Sequence, residues 1–274
     1  MKNRRMKQPI PLKAGDTIAV VAPAGAAGDP LTVIRGIQAL KAMGFEVQTK
    51  YLNTDAYRYL AGEDACRARS VMDAFLDDEV DGILCLRGGY GAMRILDLLS
   101  YDQIARHPKT FVGYSDITAL HTMLNQVCKM VTFHGPMLSS DLGGQIDALS
   151  LKCLYDTLTG QYRKAFSCIN EQGTEMYGTE ENAEGILCGG NLTLLASTLG
   201  TPYEIDTTSK LLVMEEIGET PYRVDRMLTQ LRLSGKLGCC AGFVLGDFLM
   251  DGGDEAEAEL REIVTEILVP YQKP

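Results

Sequence analysis

Apolar residues along this chain alternate between two periods. Thr17–Ala22 is a short continuous apolar run, as expected of a strand buried on both faces, and it breaks at Pro23-Ala24-Gly25. Asp29 then offers an N-cap with Pro30 in the first helical position, and Ile34, Ile37 and Leu40 recur at helical spacing until Gly44 stops them. The pattern repeats through an expected strand at 45–49, a helical stripe of Ala65, Ala68, Val71, Met72 and Phe75, and a strand at 81–86. A helix at 92–99, a strand at 110–113, a helix at 117–124 and a strand at 130–133 follow. Strands spaced by helices of this length predict right-handed βαβ units and a parallel sheet covered on both faces.

After Pro136 the pattern loosens. A helix is expected at 148–158, and residues 159–183 are rich in Gly, Thr, Glu and Tyr. A second α/β segment then begins, with strands at 184–188, 211–216 and 242–246 and helices at 191–199, 222–234 and 254–267. Thr220 before Pro221 marks a helix start and Gly235 a stop. The expected organisation is a Rossmann-like N-terminal domain over 1–150, a linker over 151–183 and a smaller α/β C-terminal domain over 184–274. The last helix is followed only by Tyr271-Gln272-Lys273-Pro274, where the alternation calls for another strand. Either the fold ends on a helix or a C-terminal segment is missing.

Composition narrows the picture. With 274 residues, 46% of them hydrophobic and 23% charged, the chain can build a full core. A net charge of −10 sets nucleic acid aside as the main partner, and Lys2, Arg4, Arg5 and Lys7 read as a solvated tail. A secretory leader would also place basic residues before an apolar run, but Lys13, Asp16 and Pro23 interrupt it, so a first strand explains the segment better. No run approaches the roughly 18 apolar residues of a membrane span. The eight cysteines (66, 85, 128, 153, 168, 188, 239 and 240) are scattered without a Cys-x-x-Cys pair and read as buried thiols of a cytoplasmic protein. Three histidines, with no His/Cys/Asp cluster at ligand spacing, lead to an expectation of no metal and no other cofactor.

Several constellations could carry chemistry. In Phe111-Val112-Gly113-Tyr114-Ser115-Asp116, a serine sits between an apolar strand and a helix. Such a serine is either a nucleophile on a tight turn, with the Asp116 N–H near the positive end of the helix to stabilise an oxyanion, or an ordinary N-cap. Arg87-Gly88-Gly89-Tyr90-Gly91 follows a strand, and its free N–H groups could hold an oxyanion or carboxylate, or it is simply a tight βα turn. It lacks the spacing of a dinucleotide or P-loop motif. Glu215 and Glu216 end a strand where α/β sites assemble, although solvated loop acids would look the same. Gly189-Gly190-Asn191 reads as a glycine turn, with Asn191 able to cap the following helix. A serine nucleophile needs a base. His107 lies in a surface-looking loop, His121 is rotated off the face of Ser115, and His134 near the sheet edge is the plausible internal candidate.

Taken together, these pieces resemble the LD-carboxypeptidase (muramoyltetrapeptide carboxypeptidase) family of serine peptidases, which includes the microcin C self-immunity proteins. The matching motifs run in the family's order from Ala22-Pro23-Ala24-Gly25 through Arg87-Gly88-Gly89-Tyr90-Gly91 to Gly113-Tyr114-Ser115-Asp116-Ile117-Thr118. Phe133-His134-Gly135-Pro136, Gly189-Gly190-Asn191-Leu192, Glu215-Glu216-Ile217-Gly218-Glu219, Pro221-Tyr222-Arg223, Asp225-Arg226-Met227-Leu228-Thr229-Gln230-Leu231 and Gly246-Asp247-Phe248 continue the series. They span nearly the whole chain.

The resemblance implies that Ser115 is the nucleophile and Glu215 the carboxylate that orients a triad histidine. The amides of Asp116 and the Gly88-Gly89 turn would form the oxyanion hole, with Arg87, Tyr90 and Asn191 in the substrate-binding set. The family's histidine belongs to a Gly-His-Gly-like segment that none of the three histidines here matches, which leads to an expectation of a chain truncated before its base. The implied substrate is a cytoplasmic muropeptide ending in D-alanine, held in a cleft between the domains, with a homodimer left open. A peptidase for a peptidyl-adenylate compound of the microcin C type, or a non-catalytic binder of wall peptides, are the alternatives.

Overall fold

The computed structural model describes residues 6–53, 56–161, 178–179, 182–250 and 252–274. The chain divides into two compact units, Met1–Arg163 and Lys164–Pro274.

The first unit runs β1 (Thr17–Val21), α1 (Pro30–Ala42), β2 (Glu46–Gln48), α2 (Asp64–Leu76), β3 (Gly82–Cys85), α3 (Tyr101–Ile104), β4 (Thr110–Gly113), α4 (Thr118–Gln126), β5 (Phe133–His134) and α5 (Ala148–Leu158). Its five strands are parallel in the order β2-β1-β3-β4-β5. β3 and β4 are buried along their whole length, which is why they read as unbroken apolar runs. α1 starts as its sequence predicts: the Asp29 carboxylate accepts the Leu31 N–H at 2.9 Å, with Pro30 in the first turn. Phe75 of α2 stacks on Phe111 of β4, tying helix to sheet.

Three expectations shift here. Residues Ala92–Leu98 form a 3₁₀ helix rather than an α-helix. The run is held at Gly91–Ala92 by side chains described below and at Leu96, whose carbonyl accepts the Tyr101 hydroxyl at 2.8 Å. The fifth strand covers Phe133–His134 and not 130–133, because Met130 bridges to Lys7 instead of pairing with β4. The boundary set at 150 cuts α5, whose Leu154 and Leu158 pack in the first unit's core; its last eight residues therefore belong to that core and not to a linker. Most of the remaining linker expected up to 183 lies outside the described residues.

The second unit runs β6 (Leu187–Asn191), α6 (Leu192–Ser197), β7 (Leu211–Ile217), α7 (Pro221–Leu233), α8 (Lys236–Cys239), β8 (Gly242–Leu249) and α9 (Gly253–Leu268). Its strands are parallel in the order β6-β7-β8. Leu212 and Met214 of β7 pack with Val224, Leu228 and Leu231 of α7 and with Leu260 and Val264 of α9. Gly189 and Gly190 belong to β6 rather than to a turn: a Cβ on Gly189 would lie 1.9 Å from the Val213 carbonyl oxygen, so only glycine lets β6 approach β7 there.

The architecture is α/β, with a five-stranded parallel sheet and a smaller three-stranded one. Of the cysteines, Cys85, Cys128 and Cys240 are buried, whereas Cys66, Cys153 and Cys239 are exposed, against the expectation of buried thiols; helices α2 and α5 turn Cys66 and Cys153 outward. Among the described residues no helix is long and apolar enough to cross a membrane.

Candidate active site

In an open parallel sheet ordered 2-1-3-4-5, connections leave β1 and β3 in opposite directions, and ligands gather at the carboxyl ends of strands at that switch. The turns that follow β1 and β3 are Pro23-Ala24-Gly25 and Arg87-Gly88-Gly89-Tyr90-Gly91. The Gly25 N–H donates to the Gly88 carbonyl at 3.2 Å, so the two turns are joined. The turn after the neighbouring β4 carries Ser115.

Ser115 has φ of +61°, a left-handed conformation that a side chain makes costly by about 1–2 kcal/mol. It follows an extended Tyr114 and opens a short 3₁₀ turn, Ser115–Ile117, leading into α4. A strained serine at a strand-to-helix turn is the geometry that presents a hydroxyl for attack, and an N-cap serine has no need of it. The N-cap alternative is further weakened by position: the caps of the 3₁₀ turn and of α4 are Tyr114 and Ile117, and Ser115 lies inside the turn. Gly88 lies directly against this serine: a Cβ at 88 would come within 3.1 Å of Ser115 Oγ and 3.5 Å of the Asp116 nitrogen. Gly88, Ser115 and Asp116 are therefore brought together as expected, with Gly89 (φ +108°) next in the turn.

Arg87 is half-buried and its Nη1 donates to the Ala26 carbonyl at 3.4 Å, so it braces the turn after β1. Tyr90 is exposed, its ring 6.1 Å from that of Tyr59. Asp116 is buried, and its Oδ2 accepts the Ala92 N–H at 2.7 Å. Burial pushes its pKa up to about 6, opposed by that hydrogen bond and by the charge of Arg67.

The histidines divide clearly. His121 of α4 is buried: its Nε2 lies 2.7 Å from the Gly113 carbonyl and so donates, leaving Nδ1, 2.8 Å from Thr132 Oγ1, to accept. Desolvation depresses its pKa to about 4, which makes it a neutral structural histidine that links β4 to the chain before β5. His107 Nδ1 is 3.9 Å from Asp78 on the surface. His134 sits opposite Gly113 in the sheet, its ring 5.9 Å from Tyr114 and 6.2 Å from His121.

In the second unit, Asn191 at the end of β6 pairs in register with Glu215 of β7. Asn191 caps α6 by accepting the Leu194 N–H at 3.3 Å, while its Nδ2 donates to Glu216 Oε1 at 3.0 Å. Glu216 is buried and satisfied on both oxygens: Oε1 also accepts the Ile217 N–H, and Oε2 accepts the N–H and hydroxyl of Thr193. Glu215 is half-buried, and desolvation first, then the charge of Glu216, raise its pKa to about 7 against a lowering hydrogen bond from Asn191. β8 carries one extra residue beside Glu215, since Met214 pairs with Leu245 but Glu216 with Phe248. Gly246 of that bulge would place a Cβ 3.3 Å from the Glu215 Cβ, so the Gly246-Asp247-Phe248 motif bends the edge strand around this carboxylate.

Sequence reasoning missed Arg67. It is fully buried in α2, and it donates to the carbonyls of Gly62, Pro23 and Gly91 and to Asp64, which Arg94 also holds in a forked ion pair. The signal available was spacing: Arg67 stands four residues before Val71 and seven before Ala74, on the face that the apolar residues of α2 define.

These features put a strained serine against a glycine turn at the carboxyl edge of an α/β parallel sheet. Residues 18–135 match the LD-carboxypeptidase N-terminal domain and residues 184–274 the LD-carboxypeptidase C-terminal domain. The chain is 40% identical to a probable murein peptide carboxypeptidase of Bacillus subtilis, over 97% of this chain and 83% of that one. It is 29% identical to the murein tetrapeptide carboxypeptidase of Pseudomonas aeruginosa, over 94% of this chain and 84% of that one. Among solved structures, the muramoyltetrapeptide carboxypeptidase of Oxalobacter formigenes superposes with a TM-score of 0.80 at 32% identity, covering 94% and 86% of the two chains. An MccF-like protein of Bacillus anthracis gives 0.85 at 26% identity, covering 98% and 88%. The chain belongs to the LD-carboxypeptidase family of serine peptidases, family S66.

Proposed function

We propose that this protein removes the terminal D-alanine from muropeptide tetrapeptides in the cytoplasm, as a step in peptidoglycan recycling. The observation that carries the reading is Ser115, held at φ +61° beside Gly88 and the Asp116 amide at the end of β4. Its substrate class is supported by the names of relatives, murein peptide and murein tetrapeptide carboxypeptidases.

In this mechanism Ser115 Oγ attacks the carbonyl carbon of the amide that joins an L-centre to D-alanine. A histidine takes the serine proton and passes it to the leaving amine as the C–N bond breaks, and D-alanine departs. The amides of Asp116 and of the Gly88-Gly89 turn receive the oxyanion. Arg87, Tyr90 and Asn191 complete the binding set. Water then hydrolyses the acyl ester and frees the tripeptide. Glu215 orients the histidine. That histidine is none of the three present here: both ring nitrogens of His121 are engaged, His107 lies by Asp78, and His134 belongs to a different motif. The 274 residues by themselves are therefore proposed to turn over slowly.

The test is D-alanine release from a tetrapeptide, comparing this chain, a version extended by a relative's Gly-His-Gly-bearing C-terminal segment, and the Ser115→Ala form of each. Release that appears with the extension and disappears with Ser115→Ala supports the reading. Release that survives Ser115→Ala, or equal strong release with and without the extension, overturns the corresponding part. A peptidyl-adenylate-type compound is the second reading, supported by the likeness to the Bacillus anthracis MccF-like protein; an aminoacyl-sulfamoyl adenosine in competition with the tetrapeptide separates the two. A pure binder of wall peptides would leave Ser115 unlabelled by a fluorophosphonate.

A further inference from the structure

One peptide unit, that between Gly91 and Ala92, is gripped from both ends by buried charge. Its carbonyl accepts Arg67 Nη1 at 2.8 Å, and its N–H donates to Asp116 Oδ2 at 2.7 Å. Arg67 is 0% exposed and Asp116 1%. The same Arg67 nitrogen also donates to the Pro23 carbonyl, so a single guanidinium joins the turn after β1 to the turn after β3. Gly91 has φ of +138°, and a Cβ there would lie 2.8 Å from Arg67 Nη1 and 2.6 Å from Leu60, so the backbone is shaped around the guanidinium.

Burying a guanidinium and a carboxylate is expensive unless each is matched by partners. Arg67 is well matched, with three carbonyls and Asp64. Asp116 is not: its Oδ1 is buried without a hydrogen-bond partner among the described residues. The fold retains an incompletely satisfied acid beside the nucleophile, where an apolar residue would pack without that cost. What the acid achieves is to tie the turn after β3 to the turn that carries Ser115. Gly88 to Gly91 includes two residues at positive φ and has little intrinsic stiffness. It is held at Gly88 by the Gly25 N–H and at Gly91–Ala92 by Arg67 and Asp116.

We infer that Arg67 and the Asp116 carboxylate are positioning residues, which fix the Gly91–Ala92 peptide and through it the distance between the Gly88-Gly89 amides and Ser115. The inference rests on the reading of Ser115 and those amides as nucleophile and oxyanion hole. The two side chains touch neither substrate nor the reacting carbonyl; they act through the backbone they hold. The contribution is to the transition state, because the oxyanion forms only there.

The test uses the chain with the C-terminal extension described above as parent, its variants Arg67→Lys, Asp116→Ala and Asp116→Asn, and three readouts. Competent sites are counted by stoichiometric phosphonylation of Ser115, kcat and KM are measured per competent site, and amide hydrogen exchange is followed at Ala92. Lysine cannot serve all four acceptors, and alanine offers Ala92 none, whereas asparagine keeps an acceptor oxygen. Arg67→Lys and Asp116→Ala are expected to lower kcat by about 10- to 100-fold with KM within about twofold, below the 10²–10³ lost with an entire oxyanion donor. Asp116→Asn is expected to recover most of that loss, and exchange at Ala92 to quicken in Asp116→Ala but not in Asp116→Asn. The inference is overturned if both disruptive variants reduce only the number of competent sites, leaving kcat per site unchanged, or if Ala92 exchange is the same in Asp116→Ala as in the parent. Failure of the functional reading has a different signature: the parent itself shows no Ser115-dependent release of D-alanine.

Discussion

Asp116 and Glu216 invite comparison. Each is a carboxylate withdrawn from water, 1% and 3% exposed, and each directly follows a residue with a proposed role in the chemistry, Ser115 and Glu215. Glu216 is closed: both oxygens accept two donors, from Asn191, Ile217 and Thr193, and the site welds the end of β7 to the start of α6. Asp116 is open, with one donor to one oxygen and a pKa lifted by burial. The closed carboxylate stabilises the fold, and its charge adds to the larger effect of desolvation in raising the pKa of its neighbour Glu215 to about 7. The open one is tolerated beside a strained serine. A buried acid that the fold has fully satisfied is doing structural duty, and one left half-satisfied points to a position held for geometry at some cost in stability.

The comparison can be broken most decisively at the nucleophile. Ser115→Ala in the extended chain should reduce D-alanine release by about 10⁴-fold or more, without a change of unfolding free energy beyond a few tenths of a kcal/mol. Next in size, Glu216→Ala should cost about 3 kcal/mol in urea unfolding, because it strands four buried or half-buried donor groups; Asp116→Asn should be neutral or stabilising at pH 7. Equal losses in both would erase the distinction between closed and open. Gly88→Ala should lower kcat about 10- to 100-fold, since its methyl would press on Ser115 at 3.0–3.1 Å, and a crystal structure of the variant should show the serine displaced.

A smaller effect concerns pH. Asp116 at about 6 and Glu215 at about 7 both lie above their unfolded values of 3.8 and 4.5, so the native state binds more protons than the unfolded chain between those limits. Their contribution to stability is full below the unfolded pKa and is lost as pH rises through the folded one. Unfolding free energy should therefore fall from pH 5 to pH 7.5, with about 1–2 kcal/mol of the fall due to Asp116, and Asp116→Asn should flatten the curve by that amount. Smallest of all, Ser115→Gly should raise stability by about 1 kcal/mol by relieving the left-handed backbone, while leaving the protein inactive.

Much of this molecule was legible before folding. Unbroken apolar runs marked β1, β3 and β4, and Asp29-Pro30 and Thr220-Pro221 marked helix starts, because those signals depend on neighbours a few residues away. Ser115, Gly88, Gly89 and Asp116 could be singled out as candidates from motif order, and Glu215 from the end of an apolar strand. The weaker readings were those in which a distant residue decides. Gly189-Gly190 looked like a turn and became a strand because Val213 lies against it, and Met130 left the fifth strand because Lys7 pairs with it. His121 showed nothing at its own position of the bonds to Gly113 and Thr132 that make it structural. Local sequence thus determined the alternation of strand and helix and the list of residues capable of chemistry. Tertiary structure alone decided that Asp116 would be left open and Glu216 closed, and that Arg67 would grip two turns at once, because a buried charge takes its character from donors and acceptors that the chain brings from far away.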